Sequence, residues 1–331
     1  RVFSVLALIF LMAFAVPLSA AAGVPTDSYT YWEDVATSRK SVYNKPMYNA
    51  DFTLSASKIG IKSFVELRYV CTDAKDNIYL LDSDSRIIVL DSSFKLLREI
   101  GLIGQTESYE KATSIYVHTD GTIYICDTSG GRIIHSSNLG ELIEVITLPE
   151  SPLIPDDFIY APTHFQIDKN GYIYIISDGS YYGALLYSPE REFLGFYGAN
   201  DVKSSVATVL KNVSNRLFPN NEKKSNTAKV LPYCFVGITM DSDGFIYTCN
   251  GYTTNADRSG QIRKLSPGKG GNILESSDVN FVDTRISSTK YKGFFRQNLC
   301  DIAVDDGGLI YALESVHGKI FIYDSLCRII T

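Results

Sequence analysis

Along most of the chain, apolar and polar residues alternate in short runs, and the runs are broken at regular intervals by turn-forming residues. One arrangement recurs five times: Asp73-Ala-Lys-Asp-Asn-Ile78-Tyr79, His118-Thr-Asp120-Gly121-Thr-Ile123-Tyr124, Asp168-Lys-Asn170-Gly171-Tyr-Ile173-Tyr174, Asp241-Ser-Asp243-Gly244-Phe-Ile246-Tyr247 and Asp305-Asp-Gly-Gly308-Leu-Ile310-Tyr311. Period-two alternation predicts strands, and the Asp/Asn-Gly step supplies the positive φ that a tight hairpin needs. An apolar strand precedes each turn, as at Ile115 and Val117 or Ile302 and Val304. The second strand runs through Ile-Tyr and closes on a polar residue: Asp82, Asp127, Ser177, Asn250 or Glu314. A third strand is read from Arg86-Ile-Ile-Val-Leu, Arg132-Ile-Ile, Ala184-Leu-Leu-Tyr, Gln261-Ile-Arg-Lys-Leu and Lys319-Ile-Phe-Ile-Tyr.

The repeat tyrosines are spaced by 45, 50, 73 and 64 residues. A unit of a few short antiparallel strands at that period cannot bury both of its faces alone, and packing the units radially solves the problem. The pattern therefore predicts an all-β propeller. A linear solenoid is the second choice, because its units are usually shorter and it needs a cap at each end.

The order of apolar strand, Asp-x-x-Gly, Ile-Tyr, acid and Arg-Ile is similar to NHL repeats, and the resemblance covers about residues 61–331. It implies a six-bladed propeller, of which five repeats are visible. Repeats 3 and 4 depart at the Arg-Ile site, with Gly183-Ala184 and Gln261, so that cation has no uniform role. Segment Phe52–Ile59 is expected to be the outer strand of the last blade, lent by an N-terminal extension over 23–60 to an incomplete propeller over 61–331. More narrowly, Tyr29-Thr-Tyr-Trp32, Asp178 to Phe196 and Asp241 to Leu265 resemble uncharacterised exported NHL proteins of Gram-positive gut bacteria, whose genes tend to lie near carbohydrate ABC-transporter genes.

Two segments stand outside the repeat. Residues 1–22 read as a secretory signal: Arg1, an apolar run from Val2 to Val16, then Ala20 and Ala22 placed for cleavage. Between repeats 3 and 4, Val202, Val206, Val209, Leu210, Val213 and Leu217 recur at helical spacing, which predicts a helical insertion over 200–230. Lys203, Lys211, Arg216, Lys223 and Lys224 make its outward face positive. That face is either a solvated cover over blade edges or a docking surface for an acidic partner or an anionic membrane surface.

Composition refines this picture. The chain carries 22 Tyr and 17 Phe against one Trp, which suits pleated, half-buried surfaces. Its net charge is −6, and loss of Arg1 with the signal takes it from −6 to −7, so a phosphate backbone is repelled and nucleic acid is excluded as a partner. Cys71, Cys126, Cys234, Cys249, Cys300 and Cys327 are scattered without metal spacing, and buried free thiols are expected in preference to disulfides.

Candidate chemistry is sparse. The strand-closing residues Asp82, Asp127, Asn250 and Glu314 form one candidate ring for a cation or a polyhydroxylated ligand; the structural reading has each capping a turn or pairing with Arg86, Arg132 or Lys319. The repeat tyrosines are read as packing between blades. Tyr181, Tyr182, Tyr252 and Asn255, in irregular loops, are the candidates for carbohydrate or peptide recognition. His118, His135, His164 and His317 occupy four different repeat positions and give no ligand set by column. These features point to a non-catalytic, extracytoplasmic binding or scaffold protein without a cofactor, surface-exposed and membrane-anchored or secreted, with a protein, peptide or carbohydrate ligand and a link to sugar transport. The alternative is a divalent-metal-dependent hydrolase or lyase resembling gluconolactonase.

Overall fold

A computed structural model describes residues 30–35, 38–43, 48, 51–82, 86–101, 112–156, 158–198, 234–251, 262–267, 270–276, 298–315, 318–325 and 330. The turn chemistry builds its sheets. Asp168 accepts the backbone N–H groups of Asn170 and Tyr172 on one carboxylate oxygen, at 2.8 and 2.9 Å, while Gly171 sits at φ 85°. Asp241 with Gly244 (φ 86°) and Asp305 with Gly308 (φ 79°) repeat the arrangement. The first repeat has no glycine at this point, and Asp76 takes the left-handed conformation there, with φ 60°.

Five antiparallel sheets follow. Blade 1 holds β3 (Leu67–Thr72), β4 (Ile78–Asp82), β5 (Arg86–Leu90) and β6 (Leu96–Gly101). Blade 2 holds β7 (Ala112–Val117), β8 (Ile123–Asp127), β9 (Arg132–Ser136) and β10 (Leu142–Ile146). Blade 3 holds β11 (Pro162–Ile167), β12 (Ile173–Ser177), β13 (Ala184–Tyr187) and β14 (Phe193–Tyr197). Blade 4 has β15 (Phe235–Met240), β16 (Ile246–Asn250) and β17 (Ile262–Leu265), and blade 5 has β18 (Leu299–Val304), β19 (Ile310–Glu314) and β20 (Lys319–Tyr323). The first strands adjoin in sequence, β3 beside β7, β7 beside β11, β11 beside β15 and β15 beside β18, so they are innermost and the sheets radiate from them. That is a β-propeller. A separate hairpin, β1 (Thr30–Val35) with β2 (Ser38–Tyr43), precedes the blades.

The core lies between blades. Tyr79, Leu81 and Ile87 of blade 1 pack on Ile115, Ile125 and Ile134 of blade 2, and equivalent clusters fill the next three junctions. Each fully buried Ile or Leu contributes about 1.5–3 kcal/mol, which is why the sheets associate face to face. Tyr79, Tyr124, Tyr174 and Tyr247 are buried in these junctions, as space-filling aromatics.

Two expectations are corrected. Five blades, not six, are present among the described residues, and Phe52–Ile59 forms no strand. Instead Ala56–Ile59 makes one helical turn, α1, closed by Gly60 at φ 84°, whose N–H bonds Ala56 O. The reason is burial: Leu54, Ala56, Ile59 and Ile61 turn together onto Ile88 and Leu90 of blade 1, which an extended strand with alternating sides cannot do. The expected signal (1–22) and helical insertion (200–230) lie outside the described residues. Cys71, Cys126, Cys234, Cys249 and Cys300 are free, and burial pushes the Cys126 thiol up to about 12.

Candidate functional site

The strand-closing residues are buried, and their polar atoms serve the fold. Asp82 accepts the N–H of Val65 at 3.0 Å and of Glu66 at 2.7 Å and pairs with Arg86 at 2.8 Å, fixing the segment that leads into β3. Burial opposes ionisation of Asp82, but the two amides and the guanidinium outweigh it and hold the carboxyl below its ordinary value. Asp127 pairs with Arg132 at 2.9 Å, Ser177 bonds Ala161 N and Ile159 O, and Glu314 accepts the Asn298 N–H at 3.0 Å. Asn250 is buried at the same point of blade 4. In blades 1, 3 and 5 the closing residue thus ties the end of the second strand to the entry of the first, and in blade 2 Asp127 ties it to the start of the third. Among the described residues no three His, Cys, Asp or Glu side chains converge as a metal ligand set.

A different column reaches the axis. Each innermost strand carries a β-bulge after its first residue, and the residue that follows pairs with the one just before the closing position: Tyr69 with Leu81, Ser114 with Cys126, His164 with Ile176, Gly237 with Cys249 and Asp301 with Leu313. Bulges re-aim side chains, and here they bring members of one column together from different blades. The ring of Tyr69 meets that of His164 edge-on at 5.8 Å. His164 Nε2 lies 3.6 Å from Asp301 Oδ1, and His164 Nδ1 lies 3.2 Å from Thr163 Oγ1. The Ser114 hydroxyl donates to Thr163 O. Gly237 lets blade 5 approach, since a Cβ there would stand 2.9 Å from Asp301 Cα.

Electrostatics drives this pair toward neutrality. Burial lowers His164 from its ordinary value, against the pull of Asp301. Burial raises Asp301, against His164 and the Ile302 amide. Burial, and then the Asp301 carboxylate, push Tyr69 well up. An imidazole and a carboxyl brought toward each other's proton affinity can share or relay a proton. Sequence reading passed over this cluster because the column mixes five residue types. A usable signal existed: each member lies ten positions ahead of the repeat Tyr.

The predicted loop residues divide. Tyr182 joins an aromatic cluster, its ring 5.1 Å from Phe196 and 6.2 Å from Phe158, with Phe158 and Phe196 5.6 Å apart. Tyr181 beside it is 42% exposed and Ile159 is 75% exposed. Phe158 and Ile159 come from the loop before β11 and Tyr181 and Tyr182 from the loop between β12 and β13, while Phe196 belongs to β14. Tyr252, Asn255, Lys203, Lys211, Arg216, Lys223 and Lys224 lie outside the described residues.

Comparison of the chain with known proteins finds similarity in shape and none in sequence family. No family model matches it, and no curated protein matches it by sequence. Solved structures similar to it include virginiamycin B lyase from Staphylococcus aureus, at 14% identity over 79% of this chain and 67% of that one, with a TM-score of 0.43. A protein of unknown function from Bacteroides caccae is similar at 12% identity over 80% of each chain, with a TM-score of 0.45. The WD40 propeller domain of Doa1 is similar at 12% identity over 86% of this chain and 71% of that one, with a TM-score of 0.44.

Proposed function

We propose that this chain is a non-catalytic binding or scaffold module of the NHL type, exported from the cytoplasm, that takes a protein, peptide or carbohydrate ligand on the face bearing its long loops. One observation carries the reading: Tyr181 and Ile159 stand exposed beside the packed rings of Tyr182, Phe158 and Phe196. Exposed aromatics on a rigid base stack on sugar rings or apolar peptide side chains at small entropic cost. The expected leader and the Lys203 to Lys224 cluster support a place outside the cytoplasm, with an acidic partner or an anionic membrane surface beneath the domain and sugar uptake as its setting. Titrating the protein with a panel of neutral oligosaccharides and peptides tests the proposal. Tyr181→Ala and Tyr182→Ala should weaken whichever probe binds by about tenfold, within the range of one lost aromatic contact. Binding that survives both substitutions overturns this choice of site.

The alternative, a metal-dependent hydrolase or lyase, is favoured by one observation, the axial His164–Asp301 pair. Stoichiometric divalent metal together with chelator-sensitive lactone hydrolysis, lost in His164→Ala, would establish it in place of the first reading.

A further inference from the structure

Four of the five blade faces that point forward along the ring are covered by the next blade, and that of blade 5 is covered only in part. Ile87 and Ile133 are fully buried at the start of the third strands of blades 1 and 2, yet Ile320, at the same position of blade 5, is 58% exposed. On the opposite side of the opening, Val70 of blade 1 is 59% exposed, whereas Ile115, Phe165, Ile238 and Ile302 at its position in the other blades are buried. On the back of blade 1 the innermost strand around Val70, and on the front of blade 5 the stretch at Ile320 and Leu313 (42% exposed), are therefore left open among the described residues, while Ile322 on that same face of blade 5 is buried. Residues 54–61 cover β4, β5 and β6 of blade 1, against Ile78, Leu80, Ile88, Leu90 and Leu96, and leave the innermost strand β3 open.

The chain crosses this opening. Tyr48 hydrogen-bonds the Tyr311 hydroxyl of blade 5 at 2.9 Å, and Leu54 packs on blade 1. Six residues of extended chain span at most about 20 Å. Sheets pack about 10 Å apart, so one intervening sheet would set the two faces about 20 Å apart, a distance that this length of chain can reach. The hairpin of β1 and β2 is tethered at this place: β2 ends at Tyr43, five residues before Tyr48, which keeps its end within about 18 Å of that anchor. Each of its strands has six residues, as do β3, β7, β11, β15 and β18. An isolated two-stranded hairpin is marginal in water and needs a surface to pack on.

We infer that the hairpin of β1 and β2 seats between blades 5 and 1 as a short closing sheet, clamping the ring through its own N-terminal segment. The inference is independent of the proposed ligand. It is tested by backbone hydrogen exchange of residues 30–43 in the whole chain and in Val70→Asp and Ile320→Asp, both at positions where a bare face tolerates a charge. The expected result is slowed exchange of 30–43 in the parent, accelerated about tenfold or more by either substitution. Both substitutions should also lower the melting temperature in the whole chain, and do so far less in a chain lacking residues 24–47. Exchange of 30–43 at the rate of an unstructured peptide, or unchanged by both substitutions, overturns it. A mass in sedimentation that doubles with concentration and returns to monomer in Ile320→Asp also overturns it, by assigning the opening to a second copy.

Discussion

Tyr247 donates its hydroxyl to Asp241 at 2.9 Å, from six residues further along the chain, while the other oxygen of that carboxylate accepts the Phe245 N–H across the turn. Tyr311 repeats the bond with Asp305 at 2.9 Å, and Tyr79 makes a longer one, 3.3 Å, with Asp73. One side chain thus shapes the hairpin and anchors the aromatic that packs on the next blade. Tyr247→Phe should remove only the hydrogen bond, lowering stability by about 1 kcal/mol. Asp241→Ala, which also frees the turn amides, should lower it by about 2–3 kcal/mol. Urea unfolding of the two variants checks the difference.

Asp82 should make stability fall in acid. Its folded value lies below the unfolded one of about 3.9, so its contribution is complete above the unfolded value and is lost as pH falls through the folded one. Near neutral pH, Asp82→Asn should cost about 1–3 kcal/mol, and its curve should converge with the parent's at low pH. A constant offset between the two stability curves down to strong acid would contradict the Asp82 contacts described above.

The axial pair should give two slopes of opposite sign. His164 has a folded value below its unfolded one of about 6.5, so stability is full above about 6.5 and is lost as pH falls below it. Asp301 has a folded value above its unfolded one of about 3.9, so its contribution is present below about 3.9 and is lost as pH rises through the folded value. His164→Gln should flatten the first slope and Asp301→Asn the second. Stability measured by denaturant at closely spaced pH values reads both.

Gly237→Ala should destabilise by about 1–3 kcal/mol, because the new methyl meets the Cα of Asp301 at 2.9 Å and the Cys249 sulfur at 3.0 Å. Since the nearest atom is backbone, adding Asp301→Gly should not rescue the variant. Gly101→Ala, which faces open space and has no positive φ, supplies a control for the added methyl without the clash. Thermal melts of the three proteins decide it.

The blades were legible in the sequence because each is built locally. The turn from Asp168 to Tyr172, the Ile-Tyr strand behind it and the closing Ser177 are contiguous, and their hydrogen bonds depend only on neighbours along the chain. The structural reading of Asp82 with Arg86, which lie four residues apart, was legible for the same reason, whereas the burial of Tyr79, Tyr124, Tyr174 and Tyr247, expected from their place beside Ile, is completed by the adjacent blade. The segment 52–59 was misread as a strand because a short apolar run fits either conformation, and the choice fell to Ile88 and Leu90, which lie more than twenty residues further on. The axial cluster was hidden by distance: Tyr69, His164 and Asp301 sit on three separate blades, and nothing local links them. Radial packing alone makes one column of the repeat a ring, so alternation and turns sufficed to define each blade, while the assembled fold decided which side chains meet at its centre and which faces it leaves open.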